Sequence, residues 1–97
     1  MEIVVETYRS IGEGAHSEIR VRPLAGQGVP ISVKVECSKK VREQYPIGQL
    51  FLIPLTWKHT DGLESCLYVS YRKPELMQPI SRQDARSFVL RQFGGRL

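Results

Sequence analysis

The side chains with the widest chemical reach in this sequence are Cys37, Cys66, His16 and His59. Zinc sites gather such residues in close pairs, as in C-x-x-C, so that one turn of chain supplies two ligands. Here no two of the four stand closer than seven positions apart, so no metal is expected, and no other cofactor is implied. Cys37 is followed by Ser38, but a nucleophile needs a base to take its proton, and neither has a histidine near it in sequence. Both cysteines read as structural thiols, too few for a disulfide framework. Gly12-Glu13-Gly14 and Gly26-Gln27-Gly28 lack the later glycine of a dinucleotide fingerprint and the Gly-Lys-Ser/Thr ending of a phosphate loop. No carboxylate pair stands out for acid–base work. The chain reads as a binding module rather than an enzyme.

What remains is cationic chemistry. The formal net charge is +4, and it is unevenly placed. Residues 1–71 carry eight Lys or Arg against eight Asp or Glu, whereas residues 72–97 carry six against two. A positive field in one terminal segment steers polyanions, although many proteins of this charge bind none. The stretch KKVREQYPIGQLF sets Lys39, Lys40 and Arg42 ahead of a proline-glycine turn. With Glu43 among them and Glu36 just before, these cations are expected on the solvated side of a short helix.

Such groups act only if a scaffold holds them. At 97 residues the chain fits one domain, and its 41% hydrophobic and 25% charged composition suits a folded soluble protein. The amino terminus carries Glu2 and Glu6 where a secretory signal is basic, and no apolar run is long enough to cross a bilayer; a cytosolic protein is expected.

Period-two alternation dominates the body. In SEIRVRPL, Ile19 and Val21 point one way and Glu18, Arg20 and Arg22 the other. In PISVKVEC, Ile31, Val33, Val35 and Cys37 point inward and Ser32, Lys34 and Glu36 outward. LAGQGVP between them supplies a hairpin loop. EIVVETYR reads as a first strand. QLFLIPLTWK, apolar on both faces, reads as a fourth, with Pro54 implying an edge or a bulge. A turn at Asp61-Gly62 leads to CLYVSYR, the fifth.

Ser38 is a good N-cap for a short helix after the third strand, with Val41 and Tyr45 on one face, and Pro46-Ile47-Gly48 turns the chain into the fourth strand. Residues 1–73 thus form a small β-barrel, and residues 74–80, with two prolines, form a linker. Residues 81–93 form a carboxy-terminal helix opened by a Ser81/Asp84 capping box with Ile80 in front, and residues 94–97 form a flexible end. Ala85, Phe88, Val89 and Phe93 recur at helical spacing. This stripe is expected to pack on the barrel, or else to dock a protein partner or a second copy of the chain.

The order of three strands, a short helix and two strands resembles the oligonucleotide/oligosaccharide-binding fold, a five-stranded antiparallel barrel; an SH3-like barrel is the nearest rival. The resemblance covers residues 2–72 and rests on element order. It implies binding through the outer face of the second and third strands and through two loops. On this chain that means Arg20, Arg22 and Lys34 on the sheet, His16 in one loop, and Lys58 and His59 in the other. Single-stranded nucleic acid is the implied partner, but such ligands need aromatic platforms. Strands two and three offer none, and Trp57, Tyr68 and Tyr71 read as packing residues. The ending SFVLRQFGGRL is also similar to the tail of ubiquitin-like modifiers. That body needs a substantial helix after the first hairpin, so Gly94-Gly95 reads as a helix stop.

Overall fold

The computed structural model describes residues 2–11, 17–58, 66–68 and 73–94, the side chains of Ile11, Ser17, Lys58, Cys66, Leu67 and Tyr68 excepted. In chain order these form β1 (Glu2–Ile11), β2 (Ser17–Pro23), β3 (Val35–Glu36), α1 (Lys39–Glu43), β4 (Leu50–Pro54), β5 (Thr56–Lys58), β6 (Cys66–Tyr68), β7 (Gln78–Ile80) and α2 (Arg82–Phe93). The protein is mostly β, with an antiparallel four-stranded sheet ordered β2-β1-β4-β7 and a three-stranded sheet ordered β3-β6-β5. The four-stranded sheet is not closed, so the described strands do not show the expected five-stranded barrel.

Alternation along β1 builds the core on both faces of the larger sheet. Ile3 and Val5 pack with Phe51 and Ile53 of β4 and with Val21 of β2 on one side. Val4 points the other way, into a cluster with Leu50, Ala85, Phe88 and Val89 beneath α2. The doubly apolar fourth strand is thereby explained: β4 lies centrally and is covered on both faces. Its expected continuation is broken, because β4 ends at Pro54, which has no N–H to give a ladder. Buried Leu55 passes the chain to β5 in the second sheet.

The expected second-to-third-strand hairpin does not form. After Pro23 the chain folds back on β1, where Gln27 is buried. Its Oε1 accepts from Val4 N at 2.7 Å, and its Nε2 donates to the carbonyls of Val4 at 2.8 Å and Leu24 at 3.0 Å. The amide takes the ladder position that a further strand residue would occupy. With the loop pinned there and Val29 buried beyond it, the chain cannot return alongside β2. Only Val35–Glu36 becomes strand, and it pairs in parallel with β6. Cys37 is buried and Val33 and Val35 pack against the core, but Ile31, expected inside, is 56% exposed.

The short helix forms as expected, with Ser38 Oγ accepting from Val41 N at 3.3 Å. Val41 and Tyr45 lean on the core, and the Tyr45 ring meets Phe51 edge-on at 5.0 Å. The following turn needs Gly48 at φ +93°, a conformation that side chains disfavour. Thr7 anchors this turn, its Oγ1 accepting from Gly48 N at 3.0 Å and Gln49 N at 3.1 Å.

The segment expected to be a linker is part of the sheet. Pro74–Leu76 makes a single 3-10 turn, Met77 is buried, and Gln78–Ile80 pairs with β4 as an edge strand. An edge tolerates Pro79, which lacks a donor. Ser81 then caps α2 by accepting from Asp84 N at 3.1 Å. Gly94, in the left-handed region at φ +65°, closes the helix by donating to Leu90 O at 2.9 Å.

Candidate functional site

The register between β1 and β2 sets Glu6 opposite Arg22 and Tyr8 opposite Arg20. By alternation these four share the outer face of the sheet with Val4. Because α2 covers the Val4 end, the polar end lies open. There Arg22 Nε donates to Glu6 Oε1 at 3.0 Å, while its guanidinium carbon stands 4.7 Å from the Tyr8 ring centroid. Arg20 donates to Glu18 Oε2 through Nε and Nη2 at 3.3 and 3.2 Å.

Facing this surface are residues 31–36, which run into β3 of the second sheet. Lys34 lies here, its Nζ 3.8 Å from Glu36 Oε1. Between the two sheets runs a groove of about 420 Å³, lined by Tyr8, Arg20, Arg22 and Lys34, by Glu18, and by Arg42 from α1. All three sequence-predicted sheet cations therefore converge on one concave surface, although Lys34 lies just before β3 rather than in a strand, and β2 and β3 do not pair.

Arg42 departs from expectation. Its side chain is only 12% exposed, tied by Nε to Ile19 O at 2.6 Å, by Nη1 to Cys37 O at 2.9 Å and by Nη2 to Glu18 Oε1 at 3.3 Å. It clamps α1 to the outer edge of β2, where among the described residues no neighbouring strand meets the Ile19 carbonyl. Lys39 and Lys40 stay exposed as expected, with Lys39 Nζ 3.9 Å from Glu43 Oε1. The clamp also bears on Cys37, a free, buried thiol. Burial pushes this thiol above its ordinary pKa, and the adjacent Arg42 guanidinium opposes that rise.

Two kinds of cation thus line the groove. Arg20 is 54% exposed and its partner Glu18 44%, and an ion pair this wet contributes at most about 1 kcal/mol. It can be exchanged for a ligand anion at little cost. Arg42 is fixed by backbone carbonyls. Four cations against the carboxylates of Glu6, Glu18 and Glu36 leave a small positive excess at the groove.

Tyr8 and Arg42 stand at the groove although neither was among the residues expected there. The aromatic ring comes from the first strand rather than from the second or third. The signal was there: Tyr8 follows Val4 and Glu6 at period two, on the face opposite Ile3 and Val5. His16 and His59 lie outside the described residues, as do Tyr71 and Arg72. Lys58 is placed on β5 by its backbone alone. Trp57, expected to pack inside, is 46% exposed. In the helical stripe, Ala85, Phe88 and Val89 are buried against the chain's own sheet. Phe93 is 39% exposed, its ring meeting that of Phe88 at 6.1 Å.

Among the described residues, no cluster of three or more His, Cys, Asp or Glu is placed to hold a metal, and no helix is long and apolar enough to cross a membrane. Compared with protein-family models, curated proteins and solved structures, the chain matches none at a significant level.

Proposed function

We propose that this chain is a non-enzymatic module that binds single-stranded nucleic acid in the groove between β2 and β3. The observation that carries this reading is the convergence of Arg20 and Arg22, from β2, and Lys34, from the segment leading into β3, on one groove that also contains an aromatic ring. Cations track the phosphates of a flexible strand, and an aromatic accepts its bases. A partly open barrel of the oligonucleotide/oligosaccharide-binding kind fits the same reading. If β4 and β5 are counted as one strand broken at Leu55, the orders β2-β1-β4 and β5-β6-β3 follow that of a partly open barrel. The open seam then falls between β2 and β3, and α1 lies between β3 and β4, as that layout requires. The helical stripe is the weaker candidate for a partner surface, because three of its four residues lie in the core.

The test is fluorescence anisotropy of labelled single-stranded DNA and RNA titrated with the protein at several salt concentrations. Saturable binding is expected, with log K falling against log salt at a slope of about −2, the value for three phosphate contacts on a single strand. The Arg20→Gln, Arg22→Gln, Lys34→Gln variant, with its fold checked by circular dichroism, is expected to lose that binding. Absence of saturable binding at low salt would overturn the proposal.

A further inference from the structure

The Tyr8–Arg22 pair does more than add a charge to the groove. Arg22 lies one step diagonally from Tyr8 in the β1–β2 register, and its guanidinium rests over the ring at 4.7 Å. Glu6, directly opposite Arg22, holds Nε at 3.0 Å and so fixes the guanidinium by its edge. A planar cation held at its edge, with a ring behind it, has a second face for another planar group. Arg20 lies beside Tyr8 on β2, and Lys34 comes from the other wall.

We infer that Arg22, backed by Tyr8, is a stacking platform for one unpaired base, and that Arg20 and Lys34 take the phosphates on either side of it. The inference rests on the nucleic-acid reading above and adds what is recognised there: a single splayed nucleotide. Guanidinium planes and aromatic rings both stack on bases, and every base has a face to offer, so the platform selects for unpaired bases rather than for sequence. A duplex is excluded because its base faces are already covered by their neighbours. The groove's 420 Å³ lies at the lower end of small-ligand sites, about 300–1,000 Å³, a size that suits a single nucleotide. An acidic peptide would satisfy the cations equally well but would leave the platform unused.

The test separates the platform from the charges. Wild-type protein is titrated against a labelled single-stranded oligonucleotide, against the same length of strand with abasic residues, and against the corresponding duplex. The intact strand is then titrated against Tyr8→Phe, Tyr8→Ala and Arg22→Lys variants. Expected are a loss of roughly tenfold in affinity for the abasic strand and for Tyr8→Ala and Arg22→Lys, little change for Tyr8→Phe, and weaker binding of the duplex. The abasic, Tyr8→Phe and Arg22→Lys arms keep the test valid should Tyr8→Ala disturb the fold. If the abasic strand binds as tightly as the intact one, or the duplex as tightly as the single strand, the platform is overturned while nucleic-acid binding stands. If no strand binds at all, both readings fall.

Discussion

The side-chain amide of Gln27 and the backbone of Val4 exchange two hydrogen bonds, at 2.7 and 2.8 Å, in the geometry of neighbouring strand residues. This pairing diverts the chain away from β2 and leaves the groove open. Gln27→Leu strands the buried Val4 N–H, for which the expected cost is about 2–3 kcal/mol by urea denaturation. Gln27→Glu cannot donate to the Val4 carbonyl and is expected to destabilise as well. A loss below about 0.5 kcal/mol for both variants would mean that the loop is held by other contacts.

Glu18 holds Arg20 with one oxygen and Arg42 with the other. If the groove binds phosphates as proposed, this carboxylate competes with the ligand. Glu18→Gln is therefore expected to raise oligonucleotide affinity roughly two- to fivefold at low salt, with the gain fading as salt is added. Arg42 keeps its two carbonyl bonds in this variant, so stability is expected to change little. A fall in affinity would show that Glu18 orients the cations rather than masking them.

Burial raises the Cys37 pKa, so the folded state holds its thiol proton more tightly than the unfolded chain does. The stabilising contribution is complete below the unfolded value of about 8.5 and is lost as pH rises through the higher folded value. Wild type is thus expected to lose more stability in this alkaline range than Cys37→Ala, as measured by urea midpoints at stepped pH. In a Cys66→Ser background, Cys37 should react slowly with a thiol reagent in buffer and rapidly in denaturant.

Phe88 lies beneath α2 with Val4 and Leu50. Phe88→Asp buries a charge and is expected to unfold the chain, so it cannot report on self-association. Leu90, 62% exposed, lies outside that core. Leu90→Asp is expected to leave the thermal midpoint within about 2 °C of wild type. Analytical ultracentrifugation of this variant beside wild type then asks whether the exposed end of the helix contacts a second copy.

Much of this fold was legible in the sequence because its signals are local. Ser38 and Ser81 cap the helices they were expected to cap, Gly94 stops the second, and β2 alternates as read. The misreadings share a cause: alternation shows which residues face a core, not which strand lies alongside. Val33, Val35 and Cys37 do face the interior, but beyond Gln27 the chain does not return alongside β2, and of the three only Val35 lies in a strand, in the second sheet. Pro74 and Pro79 suggested a linker, but Pro74 opens a 3-10 turn and Pro79 sits in an edge strand, which tolerates what a central strand does not. At the site, Arg20, Arg22 and Lys34 could be read from strand faces alone. Tyr8 required the pairing of β1 with β2, and Arg42 required the position of α1, both of which depend on contacts distant in sequence.

The parallel match of Val35 with Leu67 has a consequence for how the molecule assembles. The chain between these two residues holds α1, all of β4 and β5, so the pair closes a long loop. Loop closure of this kind lowers conformational entropy before any contact compensates for it. The β1–β2 ladder, whose ends Ile11 and Ser17 stand close in sequence, can zip first, whereas the β1–β4 ladder, with Glu6 opposite Leu50, must itself close a long loop. The groove wall carrying Lys34 then comes into place late in folding, and local opening of the native protein should begin at the same seam.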